Sequence, residues 1–235
     1  MVKNHLSRLN SPTSWGISRK GIKFTTRTSP GPHKLKESIT LIVLIEEILK
    51  YGRNRKEVKK ILNEGKILIN GKIRKDIKFP VGLMDLISVP SLNENFRLFY
   101  NPKGKFVLTP VEEAEKDFRL IKIIRKNIIK KGKIQIGTSD GSSLLTEKND
   151  YKLGDSLIVS IKDGKIKEHL SFNKGSRIFI EGGKKKGTIG TLQEFKENNI
   201  IVKSNDEEFE TAKRYAFVIG KIKTPEAKWV LLWKQ

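Results

Sequence analysis

The sequence predicts an α+β protein built from several small domains. Three observations lead to that prediction: an arm without acidic residues comes first, two helical patterns and a hairpin signal follow, and only short strand patterns come afterwards. With 235 residues and 37% hydrophobic side chains, the chain can form two or three small cores. We expect five segments: a basic extended N-terminal arm (1–36), a small helix-helix-hairpin domain (37–100), a central β-barrel-like domain (101–170), a second small β-barrel (171–220) and a basic C-terminal tail (221–235).

The arm has an unusual composition. It carries eight Lys or Arg side chains and no Asp or Glu, and it ends in the stiff sequence Ser29-Pro30-Gly31-Pro32-His33-Lys34. A segment so polar and so basic is not expected to fold on itself, so we expect it to become ordered on a polyanion. On this view, deletion of residues 1–28 weakens assembly with that polyanion but leaves the three cores folded.

Two helices are predicted after the arm. Residues 38–50 are apolar nearly all round, which indicates a helix buried on most of its circumference, with Ser38 as the N-cap and Gly52 after its end. Residues 54–63 have the pattern of an amphipathic helix with lysines on its outer face, and Gly65 lies where the chain leaves this helix.

A hairpin is predicted next, with strands over 66–69 and 72–74. The dipeptide Asn70-Gly71 separates them, and both residues readily take the positive φ that a type I′ turn requires. From Lys50 to Lys78 there are eleven basic residues and three acidic ones, more than solubility needs. We therefore expect the helices and the hairpin to form a basic platform.

Short strands separated by turn signals dominate the rest of the chain, and without long helices between them they indicate small barrels or sandwiches. Residues 110–114 form a short helix start, and the glycine-rich basic loop 182–190 leads into a further strand. The stretch 119–133 has seven basic residues and no acidic one, which predicts a strand with one buried and one phosphate-facing side. The predicted strands are 84–89, 96–100, 105–109, 119–124, 133–136, 157–161, 165–170, 177–180, 200–203 and 209–211.

The net charge of +22 is spread over every segment. A small anionic substrate would require positive charge only around its pocket, whereas charge along the whole chain suits nucleic acid. A membrane is not expected as a partner, because the longest apolar run, 39–45, is followed directly by Glu46 and Glu47. The composition of the arm also matches an organelle transit peptide, and that alternative stays open.

No metal or cofactor site is predicted. The chain has no cysteine, so disulfides and thiolate metal sites are excluded, which fits a reducing compartment. The three histidines, His5, His33 and His169, stand at no metal-ligand spacing.

Two catalytic motifs are matched only in part. Gly182 and Gly187 have the spacing of a phosphate-binding P-loop, but Thr188 stands where the lysine is required. The sequence Gly154-Asp155-Ser156-Leu157 matches a serine-esterase signature, yet His169 has no Asp three positions before it. We predict no catalytic residue.

Short motifs distributed over nearly the whole chain match one known family. They are His5-Leu6 with Arg8-Leu9, Pro12 with Ser14-Trp15, Ser29-Pro30-Gly31-Pro32-His33-Lys34-Leu35, Asn70-Gly71-Lys72-Ile73-Arg74 with Asp76-Ile77, Gly82-Leu83-Met84-Asp85, Glu94-Asn95-Phe96-Arg97-Leu98, Gly182-Gly183 with Gly187 and Ile189-Gly190, and Phe217-Val218-Ile219-Gly220-Lys221. In this order they resemble the archaeal and eukaryotic small-subunit ribosomal protein four family.

The resemblance implies an RNA-binding domain of the type shared with bacterial ribosomal protein four at 37–100. It also implies a central β domain and a KOW-type, SH3-like barrel at 171–220. The absence of a long C-terminal extension, together with the Lys- and Ile-rich composition, implies an archaeal member. Ser139-Asp140-Gly141-Ser142 stands where the family has a His-Asp-Ala-Arg-like loop, so an RNA contact of that loop is not carried over.

We therefore expect a structural protein of the small ribosomal subunit, not an enzyme, that lies in the cytoplasm and neutralises rRNA phosphates. Its expected partners are small-subunit rRNA and neighbouring small-subunit ribosomal proteins, with no membrane, no cofactor and no independent homo-oligomer. Trp15 and Phe24 are candidates for stacking on bases or packing against a neighbouring protein. The predicted RNA-binding residues are Arg8, Trp15, Arg19, Lys20, Lys23, Arg27, His33, Lys34, Arg53, Arg55, Lys56, Lys59, Lys60, Lys72, Arg74, Lys75, Lys184, Lys185 and Lys186.

Two other functions stay open. The helix-hairpin module also occurs beside the catalytic domains of pseudouridine synthases and tRNA synthetases, so an RNA-modifying enzyme is one alternative. A transcription factor that touches polymerase through its KOW-type barrel is the other. In the tail, Trp229 and Trp233 are four residues apart and could share one helical face, either to dock the tail or to stack on bases.

Overall fold

The structure is a computed structural model that describes residues 5–129, 132–147, 149–204, 207–220 and 222. Apart from Ile222, the predicted tail with its two tryptophans lies outside the described residues. The helical segments are α1 (Leu41–Val43), which continues as a π-helical turn over Leu44–Ile48, and α2 (Arg55–Asn63). Single 3₁₀ turns occur at Arg8–Asn10, Thr13–Trp15, Leu35–Glu37, Pro90–Leu92, Glu113–Glu115 and Lys213–Tyr215.

Strands make up most of the described chain. Numbered in chain order, they are β1 (His5–Ser7), β2 (Phe24–Thr26), β3 (Ser38–Thr40), β4 (Leu68–Ile69), β5 (Lys72–Ile73), β6 (Pro80–Gly82), β7 (Leu86–Val89), β8 (Glu94–Tyr100), β9 (Phe106–Pro110), β10 (Phe118–Ile128), β11 (Ile134–Thr138), β12 (Ser143–Thr146), β13 (Ser156–Ser160), β14 (Ile166–Leu170), β15 (Arg177–Ile180), β16 (Ile189–Lys196), β17 (Asn199–Ser204), β18 (Glu207–Ala212) and β19 (Ala216–Val218).

The strands form three five-stranded sheets, in the orders β5-β4-β7-β8-β9, β12-β11-β10-β13-β14 and β18-β17-β16-β15-β19. Two small sheets, β1-β2 and β3-β6, complete the described part, and every recorded pairing is antiparallel. The first large sheet includes β9, so the hydrogen-bonded unit extends past residue 100, where we placed a boundary. The fold is therefore rich in β-structure with few helices, as the strand patterns indicated.

The first helix starts later than we predicted. Ser38–Thr40 forms β3 and pairs with β6, and the helix begins only at Leu41. Ile39 and Thr40 are β-branched and therefore suit a strand. The Ser38 hydroxyl donates to the Lys34 carbonyl at 2.8 Å and caps no helix. Our assignment of Ser38 as an N-cap was wrong.

The arm is folded in the described part, which contradicts our expectation that it would become ordered only on a polyanion. Its strands β1 and β2 pair with each other, and Leu6 and Ile17 pack against the main hydrophobic core. Trp15 is 1% exposed, and its indole N–H donates to the Ser38 carbonyl at 2.6 Å. A segment with few apolar side chains can therefore fold when a neighbouring core supplies the rest of the apolar surface.

His33 holds the exit of the arm against the first large unit. Its ring packs on Gly82, where any side-chain carbon would collide with the imidazole, and its Nε2 lies 3.0 Å from Oδ2 of Asp85. The same Asp85 oxygen accepts from the Gly82 N–H at 2.8 Å. Burial disfavours the imidazolium, but the Asp85 carboxylate, with smaller contributions from Asp140 and Glu37, raises the pKa of His33 above its ordinary value.

The units are joined by buried polar contacts as well as apolar ones. Lys122 on β10 donates from Nζ to Glu181 at 2.7 Å and to the Arg214 carbonyl at 2.6 Å. The rings of Phe99 and Phe179 meet edge to face, with their centroids 5.6 Å apart. The Lys122 contacts connect the central sheet to the third sheet. The Phe99–Phe179 contact connects the third sheet to the platform.

Trp15→Ala should lower the free energy of unfolding by about 3–5 kcal/mol, because it removes a large buried side chain and leaves a cavity. Leu9→Ala is the matched control in the same arm, since Leu9 is 69% exposed and its loss should change stability by less than about 0.5 kcal/mol. Urea unfolding followed by circular dichroism measures both. Equal, small effects of the two substitutions would show that the arm does not pack on the core.

His33→Gln should destabilise the protein most at low pH. Because the folded-state pKa is raised above the ordinary value of 6.5, the stabilisation is fully present below pH 6.5 and is lost as pH rises through the raised pKa. The difference in unfolding free energy between the wild type and this variant, measured from pH 5 to 9 in steps, should therefore shrink as pH rises. In an Asp85→Asn background the pH dependence should be much weaker, and a difference that grew with pH would contradict the ion pair.

Candidate nucleic-acid interface

The basic face of α2 follows directly from its local sequence. Asn54 is the N-cap, and its side-chain oxygen accepts from the Glu57 N–H at 3.0 Å. Glu57 in turn accepts from the Arg53 N–H at 2.8 Å, so the two side chains cap the helix reciprocally. Val58 and Leu62 are fully buried, and the opposite side of the helix therefore faces solvent.

Three lysines on that side, Lys56, Lys59 and Lys60, are exposed. With Asn63 and Glu64 they line a shallow hollow. Among the described residues, no carboxylate lies within 4.0 Å of the three ammonium groups. Three neighbouring positive charges without a paired acid make a surface suited to closely spaced phosphates.

Arg53 and Arg55 extend this face. Both are exposed, and Nη1 of Arg55 lies 3.5 Å from the hydroxyl of Thr26 on β2. That contact places the arm next to the start of α2, so basic residues from two distant parts of the sequence form one surface. This proximity could not be predicted from the sequence, because it depends on the packing of the arm.

The hairpin between β4 and β5 has the turn that we predicted. Asn70 and Gly71 have φ values of +50° and +74°, and the Asn70 amide donates to Asp85 at 2.7 Å. A side chain at Gly71 would also collide with Ile161 of the central unit, so the tip fits closely against that unit. Lys72 next to the turn is exposed.

Arg74 and Lys75 follow the hairpin. Lys75 is exposed, whereas the Arg74 guanidinium lies over the Phe79 ring, 4.4 Å from its centroid. Stacking on an aromatic ring fixes the guanidinium while its outer edge can still donate.

The arm residues divide into outward and inward groups. Lys20, Lys23 and Lys34 are exposed and Arg27 is half-buried. Arg19 is exposed as a residue, but its guanidinium donates to the carbonyls of Leu9 at 2.8 Å and Ser11 at 3.1 Å, so part of its donor capacity holds the arm together.

Three predicted RNA contacts are corrected by the structure. Arg8 forms an ion pair with Glu47 and donates to the Ser18 carbonyl at 2.9 Å, so its charge is used within the fold. Trp15 is buried and cannot stack on a base, and the His33 side chain is only 8% exposed and bound to Asp85. All three stabilise the arm.

The three lysines of the loop between β15 and β16 also differ in their exposure and contacts. Lys184 is exposed, and Lys185 is exposed but pairs with Glu207 at 2.8 Å. Lys186 lies over the Tyr100 ring with Nζ 3.4 Å from the centroid, and burial lowers its pKa against the opposing effect of Glu37 and Glu181. Lys186 therefore joins this loop to the platform, and its assignment to RNA stays a prediction.

The basic stretch 119–133 differs from its prediction in the same way. Arg119 pairs with Asp140, and Lys122 is buried in the contact with Glu181. Lys126 donates to the Tyr151 carbonyl at 2.7 Å, and Arg125 is exposed. We expected one side of this strand to face phosphate, but most of the charge in its described part serves internal contacts.

The histidine near the esterase-like motif has a structural partner. His169 Nε2 lies 2.7 Å from Asp155, which also accepts from the Lys152 and Phe172 N–H groups. The hydroxyl of Ser156 is buried without a hydrogen-bond partner, so it has no base to activate it. These residues do not form a nucleophile-base pair.

Within the described ranges, no group of three or more His, Asp or Glu side chains is arranged to hold a metal ion. Over the same ranges, no helix is long and apolar enough to cross a membrane.

Comparison with known proteins agrees with this picture. Three family models match the chain: Ribosomal family S4e over residues 92–166, the RS4NT (NUC023) domain over 2–36 and the S4 domain over 43–87. The second of these covers the arm.

Two relatives that match over nearly the whole chain have the same name. The small ribosomal subunit protein eS4 of Methanocella arvoryzae is 38% identical over 94% of this chain and 96% of its own length. The protein of that name from Methanocaldococcus jannaschii is 40% identical over 93% of this chain and 94% of its length.

A solved structure extends the comparison to the fold. The crystal structure of 30S ribosomal protein S4e from Thermoplasma acidophilum matches with a TM-score of 0.68 and 34% identity, over 78% of this chain and 95% of that one. Identity above 30% over almost the full length, together with these matching domains, means that the chain belongs to the ribosomal S4e family.

Proposed function

We propose that this chain is a structural constituent of the small ribosomal subunit and that it binds rRNA with one basic surface. The surface consists of α2, the β4–β5 hairpin and the outward lysines of the arm. The observation that carries the proposal is the row of unpaired, exposed lysines on α2, in a chain whose relatives are named small ribosomal subunit protein eS4.

On this surface the protein would act by neutralising phosphates. Lys56, Lys59 and Lys60 can reach neighbouring phosphates from successive turns of one helix, and each contact releases counterions from the RNA. Lysine is a flexible point charge that reads no base, so these contacts would position the RNA fold without sequence specificity. Arg53, Arg55, Lys72, Arg74 and Lys75 would extend the same contact around the platform.

The third unit would supply a second contact. We propose that segment 171–220 is the KOW-type barrel of the family and that Lys184 and Lys185 reach RNA backbone from its first loop. Lys184 is exposed, and Lys185 can exchange its ion pair with the exposed Glu207 for a phosphate at small cost. Segments 37–100 and 101–170 would be the S4-type platform and the central β unit, except that β9 completes the platform sheet.

The proposed location is the cytoplasmic ribosome, with small-subunit rRNA and neighbouring small-subunit proteins as partners and no independent homo-oligomer. The S4e family consists of structural ribosomal proteins. Membership of this family therefore argues against an RNA-modifying enzyme. The transcription-factor alternative predicts association with polymerase instead of with ribosomes.

Gradient sedimentation of a lysate from the source cell tests the proposal. At low salt the chain should be present in stoichiometric amounts in the small-subunit fraction, and high salt should release it, because its contacts are with phosphate. Sedimentation with polymerase would support the transcription factor. Absence from ribosomes at low salt would refute the proposed function.

Lys59→Gln/Lys60→Gln should reduce both the affinity for rRNA and its salt dependence. Each lost phosphate contact lowers the log-log salt slope by roughly 0.7–0.9, so the double variant should lose about 1.5 in total. Filter binding with in-vitro-transcribed small-subunit rRNA of Methanocaldococcus jannaschii measures this slope.

The control is Lys162→Gln/Lys174→Gln, which removes the same charge from exposed lysines that pair with Asp117 at 3.4 Å and Glu194 at 3.5 Å. This variant should keep the wild-type slope to within about 0.5. If both double variants changed the slope equally, net charge and not the α2 surface would govern binding.

A further inference from the structure

The small sheet β1-β2 has two different faces. Leu6 and Thr25 are register partners and point inward, where Leu6 packs on the main core and Thr25 is buried. The alternate residues His5 and Phe24 lie on the other face, and both are exposed. The inner face explains why the β1-β2 sheet is folded. The aromatic outer face has no role in the core.

The outer face carries an aromatic pair. The rings of His5 and Phe24 meet edge to face with their centroids 4.6 Å apart, and Phe24 is 45% exposed. The Lys23 ammonium lies 5.4 Å from the centroid of the Phe24 ring. An exposed ring that is oriented by a second ring and flanked by a cation has the composition of a site that stacks a base and binds its phosphate.

The surroundings of the pair favour nucleic acid over a protein partner. The arm has no Asp or Glu, and Lys20 is exposed nearby in the sequence. On the same face, Thr26 lies against Arg55 at the start of α2. The aromatic pair is thus continuous with the basic surface, and RNA backbone that follows α2 would bring a nucleotide to Phe24.

We propose that Phe24, oriented by His5, is a stacking site for one unpaired nucleobase of the RNA that lies on α2. The inference rests on the proposed function and deepens it, because it names unpaired nucleotides as the ligand of the arm. A base inside a duplex has both π-faces covered by its neighbours, so only a bulged, looped or terminal base can use the ring. The Lys23 ammonium, which now lies near the ring, would move to the phosphate of that nucleotide.

Phe24→Leu is the decisive variant, because it keeps apolar bulk on an exposed face and removes the aromatic ring. The probes are two RNA hairpins that differ only in one bulged 2-aminopurine, with affinity measured by fluorescence anisotropy of a terminal dye. Wild type should bind the bulged hairpin about tenfold more tightly than the fully paired one, and Phe24→Leu should abolish that preference while keeping the affinity for the paired hairpin.

Two further measurements separate stacking from charge. The effect of Phe24→Leu should persist at high salt, whereas Lys23→Gln should weaken binding to both hairpins with an effect that shrinks as salt rises. Leu92→Ala is the control for loss of an exposed apolar side chain, since Leu92 is 55% exposed on the 3₁₀ turn after β7, and it should change neither affinity.

The outcomes are distinct from those for the proposed function. If wild type binds small-subunit rRNA but shows equal affinity for the two hairpins, the stacking site is refuted and the proposed function stands. If Phe24→Leu lowers incorporation into small subunits without changing binding to either hairpin, the ring contacts a neighbouring protein, which also refutes the site. Failure of wild type to bind rRNA at all would refute the proposed function itself.

Discussion

One carboxylate, that of Asp85, holds together the parts that form the basic surface. Its oxygens contact the His33 ring at the exit of the arm, the amide of Asn70 in the hairpin turn and the N–H of Gly82 in β6. The Asn70 side-chain oxygen also accepts from the Leu86 N–H at 2.9 Å, at the start of β7. The Asp85 carboxylate therefore helps to orient the arm, the hairpin and the platform sheet relative to one another, together with the buried Trp15 and its hydrogen bond to Ser38.

A net charge of +22 does not mean that every basic residue is available to a ligand. Arg8, Lys122 and Lys186 are turned inward, where they meet Glu47, Glu181 and the Tyr100 ring. Their role is to connect segments that lie far apart in the sequence. Other cations stay exposed, among them those of α2, the hairpin and the arm, so the described charge divides into an internal and an external set. Removing an internal cation would disturb the units it connects, whereas removing an external one would change only affinity.

The parts of the structure that depend on neighbouring residues could be predicted from the sequence. The helix after Asn54 and the turn at Asn70-Gly71 were both correct, because an N-cap and a type I′ turn are fixed within a few residues. The fold of the arm could not be predicted in this way. Trp15 and His33 bind Ser38 and Asp85, and nothing in the composition of the arm reveals those partners. The clearest available signal was Trp15 itself, a large apolar side chain in a segment that we took to be unfolded. For the candidate site, the lysines of α2 could be predicted because amphipathic periodicity places them outside, whereas the proximity of Phe24 and Arg55 depends on tertiary packing.

The central claim is that the arm is folded on the platform before any RNA binds and therefore offers a preformed surface. Acrylamide quenching of Trp15 fluorescence tests it most directly, in a full-length Trp229→Phe/Trp233→Phe chain without RNA, where Trp15 is the remaining tryptophan. The account predicts a blue-shifted emission with slow quenching that does not change when rRNA is added, because Trp15 is 1% exposed in the free protein. Fast quenching in the free protein, with protection only after rRNA is added, would contradict it and would show that RNA folds the arm.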